Sequence, residues 1–444
     1  MAWDTIFALS SASGRAAIAV IRVSGPKAGE AVLALTRGAL PIPRRAVYRR
    51  LRDPLSGAEL DDGLVLWFPA PASETGEDVA ELQIHGGRAT VAAVLEALAE
   101  LPDLRIAEPG EFTRRAFLNG KLDLTAVEGL ADLVNAETDA QRRQALRQLK
   151  GELGCLYDAW RTRLVRLLAY AEATIDFPDE VGEAGGPSSL LHEILMLIRE
   201  ITQHLDDKSR GERLRGGLYV AIVGPPNVGK SSLLNALAKR DVAIVSEVAG
   251  TTRDVIEVHL DLAGYPVSLA DTAGIRESNE AIEREGVRRA LARAEEADLR
   301  LVMVDGTQWP AVPSEIDPVI DHRSILILNK VDLVKRPLDM MLKGRPIMAL
   351  SVVTGEGMGE LVSKLEQEAV ARMAVAETPT LTRLRHRQAL ERCVEALGRS
   401  THARLPELAA EDLRLAAREL GRITGRVDVE DLLDVIFHDF CIGK

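Results

Sequence analysis

Gly224-Pro225-Pro226-Asn227-Val228-Gly229-Lys230-Ser231 carries the spacing G-x-x-x-x-G-K-S. These residue types at this spacing hold phosphate. Backbone N–H groups approach the oxygens, a lysine reaches the β and γ phosphates, and a serine hydroxyl ligates Mg²⁺. Four further segments follow in the order a GTP site requires. Gly250-Thr251-Thr252-Arg253-Asp254 is a polar switch-like stretch whose threonine can close over Mg²⁺ and the γ-phosphate. Asp271-Thr272-Ala273-Gly274 offers a carboxylate for a Mg²⁺ water and a glycine that lets a backbone N–H near the γ-phosphate. Asn329-Lys330-Val331-Asp332 supplies a carboxylate that accepts from N1–H and the 2-amino group of guanine. Adenine lacks both donors and would leave that carboxylate unpaired, which is a basis for specificity. Ser351-Val352 is the last base-contacting loop. The nucleotide set is therefore Asn227, Val228, Gly229, Lys230, Ser231 and Ser232; Ser246, Glu247, Val248, Ala249, Gly250, Thr251 and Thr252; Asp271, Thr272, Ala273 and Gly274; Asn329, Lys330 and Asp332; Ser351 and Val352.

The hydrolytic groups are less plain. Ile275 stands where small signalling GTPases place a water-orienting glutamine, and Pro226 narrows the room for a partner's arginine finger. Asn227, with backbone carbonyls from the Ser246–Thr251 loop, could instead hold a monovalent cation where an arginine's charge would otherwise sit. For the attacking water, the stretch Arg276–Glu283 offers three carboxylates, and spacing does not choose among Glu277, Glu280 and Glu283.

Strands must position these groups. Apolar, β-prone runs at 218–223, 267–270, 325–328 and 348–350 each precede one of the motifs, and a helix follows the phosphate loop from Ser231. Upstream, 17–23, 63–68 and 79–85 read as strands and 90–101 as a helix, a small α+β domain. Arg22 and Glu81 are charged residues inside those strands and must face solvent, a partner or a ligand; His85, before two glycines, reads as a satisfied turn histidine. Residues 108–113 read as a loop. Helical spacing then runs from Leu122 to about Ile175, again from 188 to 208, and resumes at 382–397, 407–420 and 429–437. The stretch 210–217 reads as a linker. Arg142, Arg143, Arg147, Lys150, Arg161, Arg163 and Arg166 form a basic stripe that reads as a solvated helix face.

The 444 residues suggest about three domains, and 46% hydrophobic content is ample for globular cores. A net charge of −12 offers no global attraction for nucleic acid. Three scattered cysteines give no disulfide framework or metal spacing, which fits a reducing, cytoplasmic setting. No signal peptide or membrane-spanning run is expected. The predicted fold is α/β with α+β and all-α parts: an α+β domain over 1–118, a helical domain over 119–215 and 376–444, and a P-loop (Ras-like) GTPase domain over 216–375 inserted between its two segments.

Several stretches resemble one family, the tRNA modification GTPases called MnmE or TrmE. They are the phosphate loop with Ser232-Leu233-Leu234-Asn235, Ala249–Asp254, Glu108-Pro109-Gly110-Glu111-Phe112, Ala116–Leu124 and the terminal Phe440-Cys441-Ile442-Gly443-Lys444. The first two are shared with ribosome-assembly GTPases such as Era and Der, the rival reading; that class predicts a KH-type GXXG loop or a basic tail, and neither is present. A folate-binding scaffold with a silent GTPase domain is the other rival. The resemblance implies an N-terminal folate-binding, dimerising domain, and hence a homodimer. It also implies a flavoprotein partner, MnmG (GidA), and tRNA modified at carbon 5 of the wobble uridine. A tetrahydrofolate derivative resembling 5-formyl-tetrahydrofolate would be the one-carbon donor. By position, it implies folate contacts at Arg22, Glu81, Lys121 and Lys444 and Mg²⁺ ligands at Ser231 and Thr252. It further implies K⁺ ligands at Asn227, Ser246, Val248 and Thr251, a water-positioning role for Glu283, and a part in modification for Cys441. Val352 departs from the family's usual alanine, at a position where a backbone N–H serves either way.

Overall fold

The computed structural model describes residues 4–12, 14–176, 187–207, 209–240, 242–244, 257–271, 294–334, 340–374, 379–427, 433, 436–438, 440 and 443. Its chain divides into two compact units. One is Met1–Ala131 with Gln148–Val181 and His402–Lys444; the other is Asp132–Arg147 with Gly182–Thr401.

The strands are β1 (Thr5–Leu9), β2 (Ile18–Ser24), β3 (Val47–Arg52), β4 (Glu59–Phe68), β5 (Val79–His85), β6 (Leu104–Ile106), β7 (Leu218–Val223), β8 (Glu257–Leu262), β9 (Tyr265–Asp271), β10 (Leu299–Asp305), β11 (Ser324–Asn329), β12 (Met341–Leu342) and β13 (Arg345–Ala349). The helices are α1 (Ala28–Thr36), α2 (Arg88–Ala99), α3 (Glu111–Leu118), α4 (Leu124–Val134), α5 (Asp139–Leu149), α6 (Glu152–Asp176), α7 (Pro187–Leu205), α8 (Arg210–Gly216), α9 (Lys230–Ala238), α10 (Met358–Met373), α11 (Leu384–Ser400) and α12 (Pro406–Thr424). Among the described residues no helix is long and apolar enough to cross a membrane.

In the first unit six strands pair in the order β3-β4-β5-β2-β1-β6, antiparallel except for β1 with β6. Period-two alternation sends Ile21, Val23, Leu82 and Ile84 to one face, where they pack with Val32 and Leu35 of α1 and Val94 and Leu98 of α2. The same alternation turns Arg22 and Glu81 to the other face, and they are register partners across β2 and β5. α6 packs along α12. Leu433, Phe437 and Phe440, beyond α12, share a small core with Leu124 and Val127 of α4.

The second unit holds seven strands in the order β12-β13-β11-β10-β7-β9-β8. The five from β13 to β9 are parallel and the two edges antiparallel. Such strands are buried on both faces and read as continuous apolar runs; all seven residues of β10 are buried. Leu233 and Leu237 of α9 and Leu361 and Leu365 of α10 close one face. Ligands in open α/β sheets bind beyond the carboxyl ends of the strands. The phosphate loop follows β7, Asp271 ends β9, Asn329–Asp332 follows β11, and Ser351 follows β13.

Two connections differ from the sequence reading. The stretch 210–217 holds helix α8 rather than an open linker. Leu214 is buried, and a Cβ on Gly211 would fall 2.2 Å from the Leu381 carbonyl, so the segment is packed rather than free. The loop at 108–113 becomes helix from Glu111, where left-handed Gly110 turns the chain in, an acid sits in the first turn, and the Glu111 carboxylate accepts the Glu108 N–H of the preceding loop at 3.0 Å.

Candidate functional site

The phosphate loop is shaped by contacts that only glycine permits. A Cβ on Gly224 would lie 2.6 Å from the Met303 carbonyl, and one on Gly229, at φ +104°, 2.5 Å from the Asn329 amide nitrogen. Asn227 also adopts a left-handed conformation, φ +61°, and is exposed at the loop tip. Lys230 is buried, and its ammonium donates to the carbonyls of Gly224 at 2.8 Å and Pro225 at 2.9 Å. Burial pulls its pKa below the ordinary lysine value, and the nearby Asp271 carboxylate works the other way. The Ser231 hydroxyl donates to Asp271 at 2.6 Å. Two hard oxygen donors side by side suit Mg²⁺.

Asn329 joins the loops. Its amide donates to the Val228 carbonyl at 2.7 Å and its oxygen accepts the Val352 N–H at 3.2 Å. Asn329 thus links the phosphate loop to the last base loop. Ser351 is buried, and Asp332 is exposed at the loop that follows β11. Sequence reasoning missed Asp305, whose carboxylate accepts from the Lys330 ammonium at 2.6 Å; the signal was an acid ending a buried strand. Ser232 is exposed on the first turn of α9. Ser246, Glu247, Val248, Ala249, Gly250, Thr251, Thr252, Thr272, Ala273, Gly274 and Glu283 lie outside the described residues, as do Cys441 and Lys444.

A second site lies on the open sheet face of the first unit. A cavity of about 430 Å³ is lined by Glu81, Glu74, Lys121, Arg44, Phe68, Ala72, Ser73 and Val79. Arg22 holds Glu81 at 3.0 Å and Glu74 at 2.7 Å, and its guanidinium lies 5.7 Å from the centre of the Phe112 ring. Arg44 lies likewise over Phe68. Three of the four expected folate residues, Arg22, Glu81 and Lys121, are therefore neighbours, although 99 residues separate the first from the last. Arg22 is half-buried and ion-paired rather than solvent-facing. Arg44 and Glu74 were missed because loop residues carry no periodicity to flag them, and Phe68 because an apolar strand residue reads as core.

Of the motifs that carried the family resemblance, Ala116–Leu124 reaches this cavity through Lys121, and Gly110 and Gly443 are packed within the same compact unit. A Cβ on Gly110 (φ +68°) would touch the Phe437 carbonyl at 2.5 Å. Glu111 pairs with Arg105 at 2.6 Å and with the buried Arg115 at 2.9 Å, and Arg115 also reaches Glu77 at 3.0 Å. Desolvation pushes the Glu111 pKa up, but hydrogen bonds from Arg105, the Glu108 N–H and Arg115 outweigh it and hold it below the ordinary carboxylate value. Asn119 donates to the Thr75 carbonyl at 2.7 Å and so sets Lys121 beside Gly76. Gly443 (φ +101°) packs where a Cβ would fall 2.2 Å from the Leu9 carbonyl, and its own carbonyl accepts from Ser10 at 2.9 Å. Gly443 is thus seated against the end of β1. Of the basic stripe, Arg142, Arg143, Lys150 and Arg166 are exposed, with Arg142 and Arg143 both paired to Asp139, whereas Arg147, Arg161 and Arg163 are partly buried. His85 is satisfied by Asp61 at 2.8 Å.

A glycine-rich phosphate loop, a strand-end aspartate and a guanine-reading loop at the carboxyl ends of a mostly parallel sheet define a P-loop GTPase. A family model described as the MnmE helical domain matches residues 124–441, and one described as the GTP-binding protein TrmE N-terminus matches residues 5–121. The chain belongs to the MnmE family of tRNA modification GTPases. It is 59% identical over 447 residues to the tRNA modification GTPase MnmE of Parvibaculum lavamentivorans, covering 99% of this chain and 100% of that one. It is 51% identical over 467 residues to a Danio rerio mitochondrial protein named 5-taurinomethyluridine-[tRNA] synthase subunit GTPB3, covering 99% and 93%. Among solved structures, Aquifex aeolicus Era bound to GDP.AlF4- is 28% identical over 42% of this chain and 69% of that chain, with a TM-score of 0.27.

Proposed function

We propose that this GTPase acts with a flavoprotein of the MnmG (GidA) type on carbon 5 of the wobble uridine of tRNA. The product would be an aminomethyl or carboxymethylaminomethyl group, with a tetrahydrofolate derivative as one-carbon donor. The observation that carries this reading is the cavity holding Glu81, Lys121 and the Arg22 contact in the same chain as a GTP site. Its chemistry suits a folate. The Glu81 carboxylate can accept from a pterin's ring N–H and amino group, and Lys121 and Arg44 can meet the glutamyl carboxylates. Lys444 would complete the contacts from the tail seated by Gly443, and Cys441 would lie near the reacting end.

At the GTP site, Ser231 and Thr252 would hold Mg²⁺. Asn227 with Ser246, Val248 and Thr251 would hold K⁺, and Glu283 would position water. The metal ions would neutralise charge on the phosphate oxygens. The proposed organisation is a folate-binding, dimerising domain at 1–118, a GTPase domain at 216–375, and a helical domain from 119–215 and 376–444. The protein would act in the cytoplasm as a homodimer.

The test is mass spectrometry of tRNA nucleosides from a strain lacking this gene. Loss of the carbon-5 modifications at the wobble position is expected. Unmodified and modified uridines in wild-type proportions would reject the reading.

A further inference from the structure

We propose that Asp305 is a positioning residue for the guanine nucleotide, acting through Lys330. Asp305 is the last residue of β10, pairs in parallel register with Asn329, and is 8% exposed. Each carboxylate oxygen has its own task. Oδ2 accepts from the Lys330 ammonium at 2.6 Å; Oδ1 accepts from the Thr307 N–H at 2.9 Å and its hydroxyl at 2.7 Å. The following Gly306 presses on the same loop from behind: a Cβ there would fall 2.7 Å from the Asn329 carbonyl.

Lys330 needs holding. Its backbone is left-handed, φ +64°, a conformation disfavoured for a side chain of this kind, and the side chain is partly exposed. It stands between Asn329, which grips the phosphate loop and the last base loop, and Asp332, which reads the guanine edge. A long flexible side chain at that place would lose rotamer freedom each time nucleotide binds. The charge-assisted bond to Asp305 fixes the far end of Lys330 beforehand, so its methylene stem forms a set wall beside the base. Burial alone would raise the Asp305 pKa. The bonds from Lys330 and Thr307 outweigh it and keep the carboxylate ionised, so the latch is closed at neutral pH.

The effect belongs to binding that is equal in the ground and transition states, so it is read in KM and not in kcat. Asp305→Asn keeps the shape and removes the charge. In the full-length enzyme it should raise the KM for GTP about tenfold with kcat unchanged. The GTP-to-ITP preference should stay the same, because Asp332 still reads the 2-amino group. In a Lys330→Met background the same change should add no further loss, since the two residues act as one unit. A change in kcat with KM unaltered, an unaltered KM, or an equal extra loss in the Lys330→Met background would overturn the proposal. Thr307→Val separates the turn-capping role: it removes one bond to Asp305 and leaves the lysine latch, so KM should hold. A tenfold KM rise there would assign the effect to the turn. Should Asp305→Asn fail to fold, Lys330→Met alone, with Asp305 and its turn intact, must raise KM by a similar factor; an unaltered KM rejects the latch.

Discussion

Arg22 and Glu81 show how far a single residue's environment outruns its sequence context. A charge inside a strand demands a reason, and the sequence offered only the resemblance to supply one. The structure gives the physical reason: the two are register partners on the uncovered sheet face, and Glu74 from a loop joins them. Breaking a well-buried pair costs about 3 kcal/mol, and less here, where Arg22 is half-buried and keeps Glu74 as a partner. Glu81→Gln should therefore destabilise the fold by about 1–2 kcal/mol in urea titration. In equilibrium dialysis it should weaken 5-formyl-tetrahydrofolate binding at least about tenfold, because the amide cannot accept two donors from the pterin. Unchanged affinity would move the folate out of this cavity. The GTP site lies at the opposite extreme of legibility. Gly224, Lys230, Ser231, Asp271 and Asn329 were readable because phosphate binding constrains residue type at fixed spacing. Asp305 was not readable, because one acid at a strand end has no spacing to mark it.

Among elements, the strands that lead directly into a motif were easiest to read, and short amphipathic edges were hardest. The run 218–223 matches β7 to the residue. β1, β3, β6, β8, β10 and β12 went unpredicted; β3 alternates charged and apolar residues, β6 has three residues, and β10, buried throughout, precedes no motif that would flag it. Of the long helices, α7, α11 and α12 were found within a few residues of their ends, α4 to α6 read as one continuous stretch, and α10 went unpredicted; their pairing was not visible in the sequence. One such pairing carries a pH prediction. His204, near the end of α7, lies beside the buried His386 of α11, with Arg387 bound to Asp207 at 2.6 Å. Desolvation pulls the His204 pKa down to about 4; Asp207 opposes this, and His386 and Arg387 add to it. The unfolded chain then takes up a proton near pH 6.5 that the folded chain refuses until about 4. Stability is thus full above about pH 6.5 and falls as pH drops toward 4, by on the order of 2 kcal/mol. His204→Gln should flatten this part of the urea-midpoint profile; an unchanged slope would place the titration elsewhere. A second element-scale prediction concerns the tail. Gly443→Ala meets both a left-handed φ and the Leu9 carbonyl, so position 443 should leave β1. Folate binding should drop about tenfold or more, with GTP hydrolysis unaltered, since the nucleotide site belongs to the other compact unit. Loss of both together would mean the tail stabilises the whole fold instead.

The whole molecule combines a GTP site with, in the other unit, the cavity proposed to bind a folate. Pro226 and Ile275 stand where other GTPases carry a finger-admitting glycine and a water-orienting glutamine. Asn227, exposed at the loop tip with a left-handed backbone, turns a side-chain amide outward. A lone K⁺ on such an exposed amide would be weakly held in water, because few ligands replace its hydration shell. Two GTPase domains meeting face to face would shield that position and supply the switch carbonyls in an ordered form, which is where the added charge counts most. With the two domains brought together within the homodimer proposed above, turnover per enzyme molecule should then be higher in K⁺ than in Na⁺ at equal ionic strength, whatever the protein concentration. Asn227→Ala should remove the K⁺ stimulation, on the order of tenfold or more, while GDP affinity changes little, because Lys230 and Ser231 still hold the phosphates. Equal rates in the two salts would exclude the cation. A potassium effect independent of concentration would keep the cation and exclude pairing of separate molecules, leaving only domains already joined within a stable dimer to form the face.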